Sequence, residues 1–492
     1  AKVERYPLSF QQQRLWFVDT YQEGSPEYNI FRAYRFDGAL DVALLEKSIK
    51  DLICHQDSLR TSIVSENGKA YQEVATTVES FDLPVIDLTN IPISERDKII
   101  AKDERHVFDL SKGPLIQAKL FIIGENAYTL TVVIHHIISD GISIGILQNQ
   151  LAEIYNAHVR GEEIKLAKPE FTYAQYSCEQ QADCAKEENQ KGLAYWTRKL
   201  EDPTPLALPT DFPRPAIRTS NGSIFKKEIP KDLVEKLSKF CREENSTAFM
   251  VLLANYYHLL SRYSGQKDVL VGFPIANRLQ SNVDNTIGFF VNTIVGRCEL
   301  SGDVSFRQLV NDTMADILES FEYQSIPFEK VVESVNPSRD QSRNSIFQTS
   351  FSVNQLKLEL PEWEGVQIAN YPSHSTTCHF DISMNISIKE NDRVGIVNYN
   401  TDLFSEDTIE RFFNHYLHLL STSLSNPDTF IGDQSLLTAQ EQKTILVDWQ
   451  GKKEKYPQDR GIHHFFERQA KLTPHAIAVS VEEEEISYEQ LD

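Results

Sequence analysis

The chain has 492 residues, 41% hydrophobic and 24% charged, with 71 acidic against 49 basic side chains and a net charge of -22. That composition excludes a disordered chain, and the length exceeds what one core holds, so several lobes or domains are expected. The acidic balance argues against a nucleic-acid partner, and no run reaches the ~18 apolar residues of a membrane span. Cys54, Cys178, Cys184, Cys241, Cys298 and Cys378 form no C-x-x-C pair, which suggests neither a disulfide framework nor a zinc site. AKVERYPLSF has no apolar signal core, so the expected location is the cytoplasm, with free thiols.

In chain order, QQQRLWFVDTY and VALLEKSIKDLI read as helices. Tyr128 to Ile134 is apolar and β-branched, as in a buried strand, and Asp140-Gly141 marks a turn. Beyond it, Ile144, Leu147, Leu151, Ile154 and Tyr155 recur at three- and four-residue steps, on one face of a helix reaching about His158. Residues 1–178 therefore read as a mixed α/β lobe. Pro203, Pro205, Pro209, Pro213 and Pro215 make DPTPLALPTDFPRP an extended crossing segment. A second lobe within 179–435 holds helices DLVEKLSKFCREEN, TAFMVLLANYYHLLSRYS, FRQLVNDTMADILESFEYQ and EDTIERFFNHYLHLLSTSL, with strands DVLVGFPIAN, FFVNTIVGRCEL and NISIKENDRVGIVNYN. Residues 436–460 read as a linker bearing the short helix TAQEQKTILVDW, and 461–492 as a separate piece.

The chemistry concentrates at TVVIHHIISDGIS, residues 131–143. Neighbouring side chains on extended backbone point to opposite sides, so His135 and His136 cannot share one substrate unless the backbone bends. One of the two is expected to be structural. Imidazole titrates near neutral pH and can accept a proton from an attacking nucleophile. The bland alternative is a core imidazole bonded to backbone, with Asp140 as a helix N-cap. Gly141 leaves space for a substrate to approach. His463-His464 precedes an amphipathic helix with no Asp-Gly after it and reads as structural.

HHIISDG resembles the HHxxxDG signature of the condensation domains of nonribosomal peptide synthetases. The likeness extends along the chain: LSFQQQRLWF (8–17), SLRTS (58–62), FTYAQYS (171–177), IGFFVNTIVGR (287–297), YQSIPFEKVV (323–332) and SRDQSRNSIFQ (338–348) are similar to the family's other motifs, in order. It departs where the second motif usually opens Arg-His-Glu, since His55-Gln56-Asp57 stands there, and at Ile142, where Trp or Val is common. HHFFERQAKLTPHAIAV with ISYEQL resembles the opening of an adenylation domain, so the expectation is a piece cut from something longer, without ATP chemistry of its own.

The resemblance implies an α/β fold of two chloramphenicol-acetyltransferase-like lobes, a V-shaped pseudodimer with a central channel. It implies amide formation between an upstream carrier's aminoacyl or peptidyl thioester and the amine of a downstream carrier's aminoacyl thioester. Both would ride on phosphopantetheine arms supplied by those partners. No cofactor or metal would be bound by the chain itself, and no Gly-Gly pair marks an arm-attachment site. By resemblance His136 is the base or the group positioning the amine, with Gly141 bordering the reacting atoms. His135 is structural, and Asp140 is ion-paired to an arginine, with Arg278 the first candidate and Arg60 the second. IGFFVNT beside HHIISDG looks like the LCL type, which joins an L-configured donor to an L acceptor. A catalytically inactive recruitment platform and an epimerisation-type relative are the alternatives. Platforms tend to lose the second His or the Gly, and epimerising relatives lack IGFFVNT.

Overall fold

A computed structural model describes every residue except 1, 22–23, 79, 355–358 and 372–375. The chain forms two compact units, Ala1–Leu436 and Leu437–Asp492. Both families of element are abundant, and the class is α/β.

The first unit is built on two larger sheets. One takes its strands in the order Val366–Asn370, Asn29–Gly38, Ala127–His135, Ile116–Gly124 and Val85–Asp87. Its pairs are antiparallel except the last, which is parallel. The other runs Asn292–Glu299, Asp268–Ile275, Thr349–Val353, Ile382–Lys389, Asp392–Asn400 and Gly222–Glu228, with Thr349–Val353 parallel to both neighbours. A three-stranded sheet, Val3–Pro7, Lys69–Ala75 and Thr61–Glu66, accompanies the first.

Each large sheet has its own apolar core. Ile144, Leu147, Leu151, Ile154 and Tyr155, the predicted helix face, all lie within the core of the first. That helix, Gly141–Arg160, starts where Asp140 accepts the Ser143 N–H at 2.8 Å and stops at Gly161, whose φ of +67° few other residues adopt. The predicted helices of the second lobe form over Lys231–Glu243, Ala248–Ser264, Phe306–Glu322 and Glu406–Ser425. NISIKENDRVGIVNYN differs: it is not one strand but a hairpin, turning at Glu390-Asn391 so that Lys389 pairs with Asp392.

The two sequence halves are interleaved. Val366–Asn370, from the later half, pairs with Asn29–Gly38, and Ile287 and Trp363 are buried in the first core. Gln56 adds a polar stitch: its amide donates to Asn285 O at 2.8 Å, and its carbonyl accepts the Ile287 N–H at 3.1 Å. Segments from beyond residue 178 thus take part in the first sheet and its core. Among the described residues no helix is long and apolar enough to cross a membrane, and no cluster of His, Cys, Asp and Glu could hold a metal ion.

The second unit contains a helix Ala439–Lys443 continued by a wider turn Thr444–Asp448, a helix Ile462–Leu472 and the antiparallel hairpin Ile477–Val481 with Glu484–Ser487. His464 Nδ1 accepts the Gly461 N–H at 3.2 Å, a local capping bond.

Candidate active site

Strand Ala127–His135 ends at the first histidine, and a single turn, His136–Ile138, redirects the chain before the Gly141–Arg160 helix. The turn sets the two imidazoles in different surroundings. His135 is 2% exposed, and its Nδ1 accepts the Ile137 N–H at 3.1 Å. Burial, with His136 adding to it, pushes the His135 imidazole down to about 3. His136 is only partly buried. It meets the Phe289 ring edge-on at 4.6 Å, and its Nδ1 makes no hydrogen bond of ordinary geometry. With Gly141 and Ile142 it borders a cavity of about 680 Å³. Burial lowers the His136 pKa from the usual imidazole value, His379 lowers it further, and Asp140 pulls the other way.

The depressed His135 value has a thermodynamic consequence. An imidazole titrating near ~6.5 in the unfolded chain and lower in the fold gives stability that is complete above ~6.5 and lost progressively below it. For His135 that loss extends down toward about 3. His135→Gln can still accept the Ile137 N–H but cannot titrate. Its stability, measured by urea unfolding, should therefore fall less than that of the wild type between neutral and mildly acidic pH. Equal losses would show that His135 contributes nothing to the acid limb.

Asp140 is fully buried, and its carboxylate points away from the cavity. One oxygen takes the Ser143 N–H and, at 3.3 Å, the Arg278 guanidinium; the other takes the Phe290 N–H at 3.0 Å and the Val291 N–H at 3.3 Å. Arg278 is itself enclosed, donating to Val283 O at 2.7 Å, Thr286 O at 2.9 Å and Ser143 Oγ at 2.9 Å, over the Phe290 ring at 4.3 Å. Those strand-side amides explain why FFVNTIVGRCEL becomes strand only from Asn292: Phe290 and Val291 spend their N–H groups on Asp140. Arg60 is elsewhere. It pairs with Asp57 and donates to Ile53 O at 3.2 Å and to Ala75 O, and makes no bond to Asp140. The arginine against Asp140 is Arg278.

Gly141 opens the helix beside His136, and a Cβ built there would meet nothing within 4 Å. The position is empty cavity rather than packed interior. Sequence reasoning missed Ser143, whose hydroxyl joins Arg278 to the Gly288 backbone at 2.9–3.0 Å. It also missed Glu27, Tyr28, Arg218 and His379, a linked group that carried no local signal. Phe289 lies within IGFFVNTIVGR, but its contact with His136 cannot be read from spacing.

The family described as Condensation domain matches residues 2–446. A linear gramicidin synthase subunit of Brevibacillus parabrevis is 37% identical over 499 aligned positions, which cover 100% of this chain and 10% of that protein. A dimodular nonribosomal peptide synthase of Bacillus subtilis is 34% identical, over 100% of this chain and 21% of its own length. The chain thus spans between a tenth and about a fifth of these curated relatives. A four domain nonribosomal peptide synthetase bound to AMP and glycine superposes with a TM-score of 0.84 at 22% identity, covering 100% of this chain and 38% of that one. At that identity the likeness is one of fold.

Proposed function

We propose, because the chain belongs to the condensation domain family, that it forms peptide bonds in nonribosomal peptide synthesis. A donor aminoacyl or peptidyl thioester would arrive on an upstream carrier domain and an acceptor aminoacyl thioester on a downstream one, each on a phosphopantetheine arm. The acceptor nitrogen attacks the donor carbonyl, the tetrahedral oxyanion collapses, the C–S bond breaks and the thiol leaves. The product is an amide on the acceptor carrier. Aminolysis of a thioester is downhill, so alignment of the arms and proton handling are the main demands on the protein.

One observation carries this reading: of the adjacent histidines, His136 borders the cavity, while His135 is bonded into the backbone and lies outside it. A neutral imidazole on a substrate-sized cavity is the group such a reaction needs. Asp140, held by Arg278 and three amides, fixes the loop that carries it.

We further infer that IGFFVNT beside HHIISDG marks the LCL type, and that residues 436–460 and 461–492 are the linker and opening of an adjoining adenylation domain. The carriers and that domain are its partners, and the cytoplasm is its place of work. The test is condensation with two separately loaded carriers, reading the acceptor carrier by intact mass. A dipeptidyl acceptor supports the reading; an unchanged acceptor opposes it. In the same assay Gly141→Leu should keep the fold, since the added side chain enters open space. It should lose roughly 100-fold in rate, because displacement of about 1 Å at the reacting atoms costs that much. Near-normal product from this variant would place the substrate path away from Gly141.

A further inference from the structure

The cavity that His136 borders has two unlike walls. One comes from the second large sheet. Phe273 and Ile275 alternate onto one face of Asp268–Ile275, and Phe351 and Val353 onto one face of Thr349–Val353. Ser350 pairs with Gly272 in the parallel ladder, so Phe351 stands level with Phe273 and Val353 with Ile275. Phe249, in the first turn of the Ala248–Ser264 helix, meets the Phe273 ring edge-on with centroids 5.3 Å apart, and the Phe351 ring lies 6.1 Å away. Phe321 adds a fourth ring to the lining. Phe273 and Phe351 belong to the second core, whereas Phe249, Ile275, Phe321 and Val353 are only half-buried. The core face of that sheet thus runs out into the cavity as an apolar surface.

The other wall comes from the first sheet and its helix, and its polar groups are already engaged. The Tyr34 hydroxyl donates to Gln148 Oε1 at 3.1 Å, and the Gln148 amide donates to Glu359 O at 2.9 Å. Arg32, exposed to water, turns Nη1 back to Phe31 O at 2.9 Å. Apart from His136, Arg32 is the one charged side chain among the described residues that line the cavity, and no carboxylate is among them. The donor carbonyl and the acceptor nitrogen are each bonded directly to the α-carbon that bears their side chain. A substrate reacting at His136 must therefore lodge that side chain in this same cavity. A polar side chain laid on the aromatic wall gives up water and finds no partner there, and a basic one finds no counter-charge. Water screens Arg32 too well for it to hold an acidic one. An apolar side chain loses no hydrogen bond and gains by burial.

We propose that this aromatic wall selects a bulky apolar side chain, aliphatic or aromatic, on one of the two aminoacyl groups joined at His136, with Phe249 as a specificity-determining residue. This rests on the peptide-forming reading above. Phe249 touches the rings of both strands yet is itself only half-buried, so it sets the width of the wall without belonging to the sheet. The selected side chain can be the donor's or the acceptor's, and the experiment separates the two.

Initial condensation rates are measured for the full 492-residue chain and its Phe249→Ala and Val353→Asp variants on loaded carriers, with a thermal melt of each protein. In the first series the acceptor is glycyl and the donor is phenylalanyl, leucyl, seryl, aspartyl or lysyl; in the second the donor is glycyl and the acceptor varies. In one series phenylalanyl and leucyl should outrun seryl, aspartyl and lysyl by about tenfold or more, the scale on which an apolar pocket discriminates. Phe249→Ala should erase most of that ratio in the same series. Val353→Asp, at a half-buried strand end, should raise lysyl relative to leucyl there. The wild-type series decide the matter even where a variant fails to fold. Equal rates for all side chains in both series, a charged side chain as the fastest, or a ratio that a folded Phe249→Ala protein keeps intact overturns the selection. Absence of product from every wild-type pair overturns the peptide-forming reading itself, and the selection with it.

Discussion

His136→Ala is expected to leave a folded protein that forms amide at least ~100-fold more slowly, the lower end of what a positioned general base contributes. The fold should survive because His136 is only partly buried and its Nδ1 makes no bond of ordinary geometry, so truncation enlarges an existing cavity without orphaning a partner. What is lost is the proton acceptor at the cavity wall. Carrier-loaded turnover and a thermal melt are the paired measurements. Unchanged turnover in a folded variant would remove His136 from the chemistry. A collapsed melt would instead assign it to the framework, where the structure puts His135.

Asp140→Ala should act on stability. The side chain is fully buried and the Arg278 guanidinium beside it is 6% exposed, so removing the carboxylate strands a cation in the interior. Breaking such a pair from one side costs about 3–5 kcal/mol, far more than the pair itself contributes over an apolar substitute. The amides of Ser143, Phe290 and Val291 lose their acceptor at the same time. The loop after His136 and the segment beside Phe289 should then loosen together, and turnover should fall with them. Asp140→Asn keeps one acceptor oxygen but not the charge, and an intermediate loss is expected. Chemical denaturation of the two variants beside the wild type decides it. A fully stable Asp140→Ala protein would show that Arg278 is satisfied by its carbonyl and hydroxyl partners alone.

The parts of this site that could be read from sequence are those governed by local periodicity. The 3.6-residue repeat of Ile144, Leu147, Leu151, Ile154 and Tyr155 announces a helix whose buried face lies where expected. The two-residue period of extended backbone separates His135 from His136, and the turn at His136–Ile138 completes the separation. Asp140 has the local signature of an N-cap and performs it. Its other partners come from distant segments, so the choice between Arg278 and Arg60 rested on likeness to a family. Glu27 and His379 lie far apart in the chain, and neither sits in a periodic pattern, so nothing in the residues announced their meeting. The hairpin at Glu390-Asn391 did carry a signal, since Asn391 and Asp392 are turn formers set between two β-rich runs. The strand Val366–Asn370 was invisible for another reason: it is short, mostly exposed and lacks clean alternation, because it borrows its order from a neighbour.

That borrowed strand bears on how the chain is made. Asn29–Gly38 is laid down early, but one of its two flanking partners is Val366–Asn370, which leaves the ribosome only after most of the first unit has been synthesised. Until then the strand presents a row of open amide and carbonyl groups, which invites pairing with the wrong chain. Closing such a long loop is slow, since its entropy is lost before the contact rewards it. Arg32, exposed on that strand, puts positive charge along the waiting edge and discourages stray partners while it stays open.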